Sequence, residues 1–304
     1  MAISELGLQQ TLLQGFQSAQ ESAQVSQVRI ATGDQFQRFS EFGADTLSLL
    51  SAESIVERSG AFVDASQIAQ SRQELIGGSL SEVASSLEDI RAGITRALAT
   101  GASELLSPEV ATETQRIISS LNIEFGGVFL FGGVNGAERP VDITSLSDLN
   151  RDGDLNDIFN EGARTSFAIE EGVILDGGPI ASEVATPIFE ILQEFENAPE
   201  TLGRFEGILT DEQSRFVTDL SQRLATVIDG VFGLIGENAI AQNAAAEAVA
   251  RNQQRSDFAE IVAADIENAD IAAAIARLNQ DQLAIEASAQ TLAQVSQLSL
   301  LNFI

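Results

Sequence analysis

Residues 271–304 read IAAAIARLNQDQLAIEASAQTLAQVSQLSLLNFI, and this closing stretch decides the fold. Ile271, Leu278, Ile285 and Leu292 recur every seven residues, and Ile275, Ala289 and Ser296 follow four places after Ile271, Ile285 and Leu292. A seven-residue apolar repeat marks a helix that packs along a narrow seam against another helix. The stripe runs on through Leu298 and Leu301 to the last residues, where chains are normally polar and frayed. A matching stripe lies at the other terminus. Residues 5–31 read as one helix in which Leu12, Phe16, Ala19, Ala23, Ser26 and Ile30 alternate steps of four and three. Several of these are Ala or Ser, so this helix is marginal alone and needs a partner. The two ends are expected to pair and then to meet other copies of the chain. The self-assembly surface expected is Leu12, Phe16, Ala19, Ala23 and Ile30 with Ile271, Ile275, Leu278, Ile285, Leu292, Leu298 and Leu301.

Between the ends the chain goes out and comes back. Thr32-Gly33 stops the first helix, and Phe36, Phe39 and Phe42 pin a connector that closes on Gly43. From Asp45 to Ala99 there is no proline, and Leu80, Val83, Leu87, Ile90, Ile94 and Ala97 form a second heptad run. Unbroken, about 55 residues would make a rod of roughly 80 Å; Gly77-Gly78 is the place where it would kink. Ser107-Pro108-Glu109 reads as a helix start with Ser107 as N-cap, running to about Phe125. The glycine-fenced run Gly126-Gly127-Val128-Phe129-Leu130-Phe131-Gly132-Gly133 reads as a hairpin arm. Residues 137–180 lose helical period, with short strands at Phe167-Ala168-Ile169 and Val173-Ile174-Leu175. A short helix over 182–196 stops before Asn197-Ala198-Pro199. Thr210-Asp211-Glu212-Gln213 has the capping-box pattern and opens a second long helix to about residue 265. On it Gly230, Gly233 and Gly236 make one thin face, open to close packing. Asn268-Ala269-Asp270 is a joint. The fold class is mainly α: an elongated antiparallel helical hairpin or coiled-coil rod with paired terminal helices and a small β-containing insertion. Terminal segments 1–44 and 260–304 form the polymerisation domain, 45–136 and 205–259 the rod, and 137–204 an outer insertion.

Composition narrows the function. The net charge is −29, and all sixteen basic residues are Arg. Such a chain is not a nucleic-acid binder, whose affinity rests on neutralising phosphates, and it disfavours anionic membranes. No stretch reads as a membrane span. The first residues, Met1-Ala2-Ile3-Ser4-Glu5, carry no basic and apolar leader. His, Cys, Lys and Tyr are absent, which removes the usual proton shuttles and nucleophiles, so no enzyme is expected. One metal candidate stands out. Asp148, Asn150, Asp152 and Asp154, with Gly153 in the sixth place, follow the first half of a calcium loop. The twelfth place holds Phe159 rather than an acid, so an acidic surface turn is the plainer reading and no cofactor is expected, with calcium kept as the exception.

At this point the residues resemble the bacterial flagellin family. Val28-Arg29-Ile30-Ala31-Thr32-Gly33 is similar to the family's Arg-(Ile/Leu)-(Ser/Ala)-Thr-Gly helix end, and Phe129-Leu130-Phe131-Gly132-Gly133 to its Phe-Leu-Phe-Gly-Gly arm. Ile266-Glu267-Asn268-Ala269-Asp270 followed by Gln282-Leu283-Ala284-Ile285-Glu286-Ala287-Ser288 looks like its C-terminal pattern. The resemblance covers roughly residues 1–136 and 205–304. The ending Leu298-Ser299-Leu300-Leu301-Asn302-Phe303-Ile304 looks most like that of the hook–filament junction branch, as does the run from Asp34 to Asp45. What the resemblance implies is a structural subunit of the flagellum, exported unfolded by the flagellar type III apparatus without a cleaved signal peptide. It would work outside the cell in motility. Its partners would be copies of itself, other flagellar axial proteins (hook-associated proteins and flagellin) and an export chaperone. Filament flagellin itself and a non-flagellar secreted coiled-coil surface protein are the alternatives.

Overall fold

The computed structural model describes residues 2–36, 42–150 and 154–301, with the side chains at 2–6, 8–9, 44 and 295–301 outside that description. Two compact units divide the chain. One comprises residues 1–58 with 255–304, the other 59–254.

The second unit holds the large core. Helix α2 (Thr46–Thr100) enters it and is continuous through Gly77-Gly78. The predicted heptad residues Leu80, Val83, Leu87, Ile90, Ile94 and Ala97 are all 4% exposed or less. They pack into one cluster with helix α3 (Leu106–Leu121) through Val110 and Ile117, with α4 (Ala181–Leu202) through Ile188 and Leu192, and with α5 (Asp211–Glu267) through Leu220 and Leu224. Val141, Ile143, Leu146, Leu149 and Ile158 contribute to this same core.

The β content is two hairpins. Strands β1 (Glu124–Phe125) and β2 (Val128–Phe129) flank Gly126-Gly127, both in the left-handed region at φ 62° and 80°, as a two-residue hairpin turn requires. Strands β3 (Ser166–Glu170) and β4 (Val173–Asp176) pair antiparallel with a register shift between Ala168 and Glu170. Polar residues of α2 fasten these arms. Arg72 Nε donates to Gly177 O at 3.1 Å, and its Nη2 donates to Leu130 O. Its burial lowers its pKa, and the buried guanidinium is held here by main-chain carbonyls. Gln73 Nε2 donates to Asp176 O at 2.7 Å. On α5, Asn252 Nδ2 donates to Ile169 O at 2.9 Å.

Several expectations are corrected. Gly77 is no kink; a Cβ there would lie 2.9 Å from Asn238 Nδ2, so the glycine lets α5 approach α2. Helix α3 starts two residues early, with Leu105 rather than Ser107 at the cap, and the chain leaves it at Asn122 to form β1. Helix α4 runs through Pro199 to Leu202 and ends at Gly203, φ 78°. Buried Phe195 and Ala198 anchor that last turn, so tertiary packing outweighs the missing proline N–H. Gly230, Gly233 and Gly236 receive no close neighbour; a Cβ on any of them would meet nothing within 4 Å. Finally, one stretch of α5 is long and apolar enough, by length and composition alone, to cross a membrane, and little of it is buried.

The capping box at the start of α5 forms as read. Thr210 N donates to Gln213 Oε1 and Gln213 N to Thr210 Oγ1, both at 3.1 Å. The Gln213 amide then reaches back to the carbonyls of Leu202, Gly203 and Arg204, each at 3.2 Å. One side chain thus closes the α4–α5 connection.

Candidate self-assembly interface

The first unit is built on helix α1 (Ala2–Thr32) packed against α6 (Ile271–Leu301). A two-strand joint sets their direction. Gly33, at φ 82°, ends α1, and its N–H donates to Arg29 O at 2.9 Å. Beyond it Gln35 N donates to Glu267 O at 2.7 Å and Ala269 N to Gly33 O at 2.8 Å, an antiparallel bridge at Asp34 and Asn268. Arg29 holds the exit: Nε donates to Gln35 O at 2.9 Å and the guanidinium sits 5.8 Å from the Phe36 ring centre. Phe36 and Phe42 meet edge to face at 4.9 Å; Phe39 lies outside the described residues. Asp270 caps α6, accepting from Ala273 N at 3.0 Å. The end of α1 therefore meets the start of α6, and the helices run antiparallel from there.

The seam between them is narrow. On α1, Ala19, Ala23 and Ser26 are buried, and Leu12, Phe16 and Ile30 are half-buried. On α6, Ala274 is buried and Leu278, Asp281, Ile285, Ser288 and Leu292 are half-buried. The every-seventh series is the predicted one from Leu278 onward. Its companion is displaced: the second row is Ala274, Asp281 and Ser288, three places after Ile271, Leu278 and Ile285 rather than four. Ile271 and Ile275 are 38% and 45% exposed. Leu298 and Leu301 lie outside the described side chains. The most buried residues of α1 in this seam, Ala19, Ala23 and Ser26, are small, and the second α6 row carries small or polar side chains. Asp281 enters the seam at a cost, since its Oδ2 is buried without a partner among the described residues.

The residues that sequence reasoning passed over are therefore the second row, Ala274, Asp281 and Ser288, and the outer apolar residues Leu13, Val25 and Leu283, which are 47%, 50% and 67% exposed. Periodicity cannot separate the flank three places on from the flank four places on when both carry alanines.

The calcium-loop residues act locally. Asp148 Oδ2 accepts from Thr144 N and Oγ1, both at 2.9 Å, and from Ser145 N at 3.0 Å, capping the turn Leu146–Asn150. Those donors, the Thr144 main chain first, hold its carboxyl below the ordinary range. Asp154 Oδ1 accepts from Asn156 N at 3.2 Å and caps the next turn. Asn150 is exposed, and Asp152 lies outside the described residues. No group of three or more His, Cys, Asp or Glu placed to hold a metal ion occurs among the described residues.

Comparison with known proteins locates this architecture. Residues 3–136 match the bacterial flagellin N-terminal helical region. No curated protein matches the sequence. A structure assigned as a flagellar hook-associated protein of Vibrio parahaemolyticus superposes with a TM-score of 0.56 at 15% identity, over 72% of this chain and 96% of that one. Bacillus cereus FlgL superposes with a TM-score of 0.54 at 13% identity, over 71% of this chain and 99% of that one. At such identities the likeness is one of fold.

Proposed function

We propose that this flagellin-family chain is a structural subunit of a bacterial flagellum that polymerises through α1 and α6 outside the cell and joins hook to filament. The observation that carries the polymerisation reading is the unfinished burial of the terminal pair. The core of residues 59–254 is filled, with Leu87, Ile90, Ile117 and Leu192 fully buried. The α1–α6 pair covers only one strip and leaves Leu13, Val25, Ile275 and Leu283 open to water. An isolated helical pair of this kind gains stability by giving those faces to further helices. The junction role is supported by the resemblance of Leu298–Ile304 to that branch and by the fold shared with a hook-associated protein and with FlgL; building the filament itself is the second reading, favoured by the flagellin match over residues 3–136. On this proposal the working partners are copies of the chain and neighbouring axial proteins, reached after export with the help of a chaperone.

Two experiments test it. Deletion of the gene in its host is expected to abolish swimming while hooks remain and filament subunits escape into the medium; filaments that persist on the cells rule out both roles. A chain lacking residues 1–30 and 270–304 is expected to stay unassembled where the intact chain polymerises. Equal assembly by the two chains would falsify the terminal-helix reading.

A further inference from the structure

A pocket of about 270 Å³ opens on the first unit, where α1 passes into the joint. Val25, Val28 and Phe36 give it an apolar lining, and Val25 stays 50% exposed although α6 packs on the same helix. Gln24 and Asp34 line it as well, and both are exposed. One wall is a cation. Arg29, the only basic residue of α1, is half-buried there. Its Nε is spent on Gln35 O, and its guanidinium lies beside the Phe36 ring. Its two Nη groups have no acceptor, and it makes no ion pair, among the described residues. A guanidinium partly withdrawn from water with most of its donors unused is matched by a carboxylate. The apolar lining beside it is matched by an aliphatic side chain next to that carboxylate.

Helix α6 carries that combination. Leu283 is 67% exposed, against 38% for Ile271 and 45% for Ile275. Glu286 lies three places on, on the same face of the helix. It is exposed and makes no ion pair among the described residues. Apart from Asp281 in the seam, it is the only carboxylate within α6. Arg29 and Glu286 cannot meet within one chain. Arg29 lies five residues before Asp34 and Glu286 eighteen after Asn268, the two residues that bridge the helices at the joint. The antiparallel pair therefore separates them by about thirteen helical residues, roughly 20 Å along the axis. That is more than the two side chains span together.

We propose that this pocket receives α6 of a second copy of the chain, the neighbour's Leu283 lying on Val25, Val28 and Phe36 and the neighbour's Glu286 pairing with Arg29. The inference rests on the self-assembly reading and gives it a stagger: copies in one orientation, displaced by about 20 Å along the terminal pair. Pocket and knob are different surfaces of one chain, so the contact is heterologous. Each seated copy offers a fresh pocket to the next, and the series stays open-ended. Asp34 opposes an incoming carboxylate, but it is exposed and screened, whereas Arg29 is half-buried.

The critical concentration for assembly of the full-length chain, read by sedimentation at fixed salt, separates this contact from general repulsion. Glu286→Arg makes a strongly negative chain less so, and diffuse repulsion alone would then let it assemble more readily. The seated contact predicts the opposite, a rise of about tenfold, because two guanidinium groups would meet in the pocket. Cross-linking reads the stagger. The sequence has no cysteine, so Gln24→Cys and Gln290→Cys chains can be mixed, polymerised and oxidised with diamide. A stagger that sets Glu286 at Arg29 sets Gln290 at residue 25, next to Gln24, and covalent heterodimers are expected from the polymer and none from the unassembled mixture. This arm leaves Glu286 in place, so it decides even where Glu286→Arg does not fold. In a chain that polymerises, an unchanged or lower critical concentration for a folded Glu286→Arg, or a polymer without these heterodimers, overturns the proposal and leaves the terminal-helix reading standing. A wild-type chain that forms no polymer removes both.

Discussion

Replacing both Ile275 and Leu283 with alanine is expected to cripple assembly while leaving the folded monomer intact. The two residues lie on α6 outside the α1–α6 seam, 45% and 67% exposed. Burying a whole aliphatic side chain is worth about 1.5–3 kcal/mol, so the fractions still open to water are worth about 1 and about 1.5 kcal/mol when a neighbour covers them. The residues are eight apart on one helix, about 12 Å along its axis, so the two losses should add. A loss of about 2.5 kcal/mol per contact corresponds to roughly a 70-fold rise in the concentration needed for assembly. Sedimentation of the polymer at fixed salt, with the soluble fraction read as the critical concentration, measures this directly. Melting of the dilute monomer is the control and should move little, because neither side chain faces α1. A critical concentration within about twofold of wild type would mean these faces stay wet in the polymer, which is too small a change for either residue to be covered. A large fall in the melting temperature would refute the reasoning from the other side, by showing that the residues hold the pair together.

Four further outcomes follow. Copies carrying −29 each repel, and the screening length falls from about 8 Å at 0.15 M salt to about 3 Å at 1 M, so critical concentration should drop steeply with salt; independence of salt would contradict an interface between like-charged faces. Burial raises the Glu196 carboxyl above its ordinary value of 4.5. A raised acid penalises the fold while it is charged, so Glu196→Gln should be more stable than wild type at pH 7, and the gap should close as pH falls through the raised value towards 4.5; urea titrations at several pH values give both curves, and a gap that widens on acidification reverses the sign. Gln213→Ala removes a capping box and leaves three carbonyls without their donor, which should cost about 2–3 kcal/mol in urea unfolding; a cost under about 0.5 kcal/mol would place the connection's stability elsewhere. Millimolar calcium should leave the melt of the Asp148–Asp154 region unmoved, since Asp148 is already held by Thr144 and Ser145; an upward shift restores the calcium loop.

The long elements were legible because their physics is repetitive. A row such as Leu80 to Ala97 meets one core along its whole length, so period alone finds it. The capping box at Thr210 and Gln213 was legible because both partners are local. What escaped was set by contacts distant in sequence. Pro199 stays helical because Phe195 and Ala198 are buried by other elements, and Gly77 is needed because Asn238, far along the chain, comes against it. Neither fact leaves a mark within the local window that a sequence reading uses.

The terminal pair shows the same division at finer grain. The row Leu278, Ile285, Leu292 announces itself in the sequence because its members are large. Its companion row is small or polar: Ala274 is buried and Asp281 and Ser288 are half-buried, and nothing in their size announces them in the sequence. An aspartate at the middle of that row weakens the pair, since Asp281 Oδ2 is buried and unpaired among the described residues. A polar residue in a seam commonly fixes register at a cost in stability. Along a helix whose apolar residues sit on both flanks, register is the quantity in doubt. Sliding α6 by one place would exchange the row containing Asp281 for the row containing Ile275, the residue whose open face the proposal gives to neighbouring copies. On that proposal the aspartate disfavours tightening the pair by such a shift, which keeps Ile275 open to a neighbour.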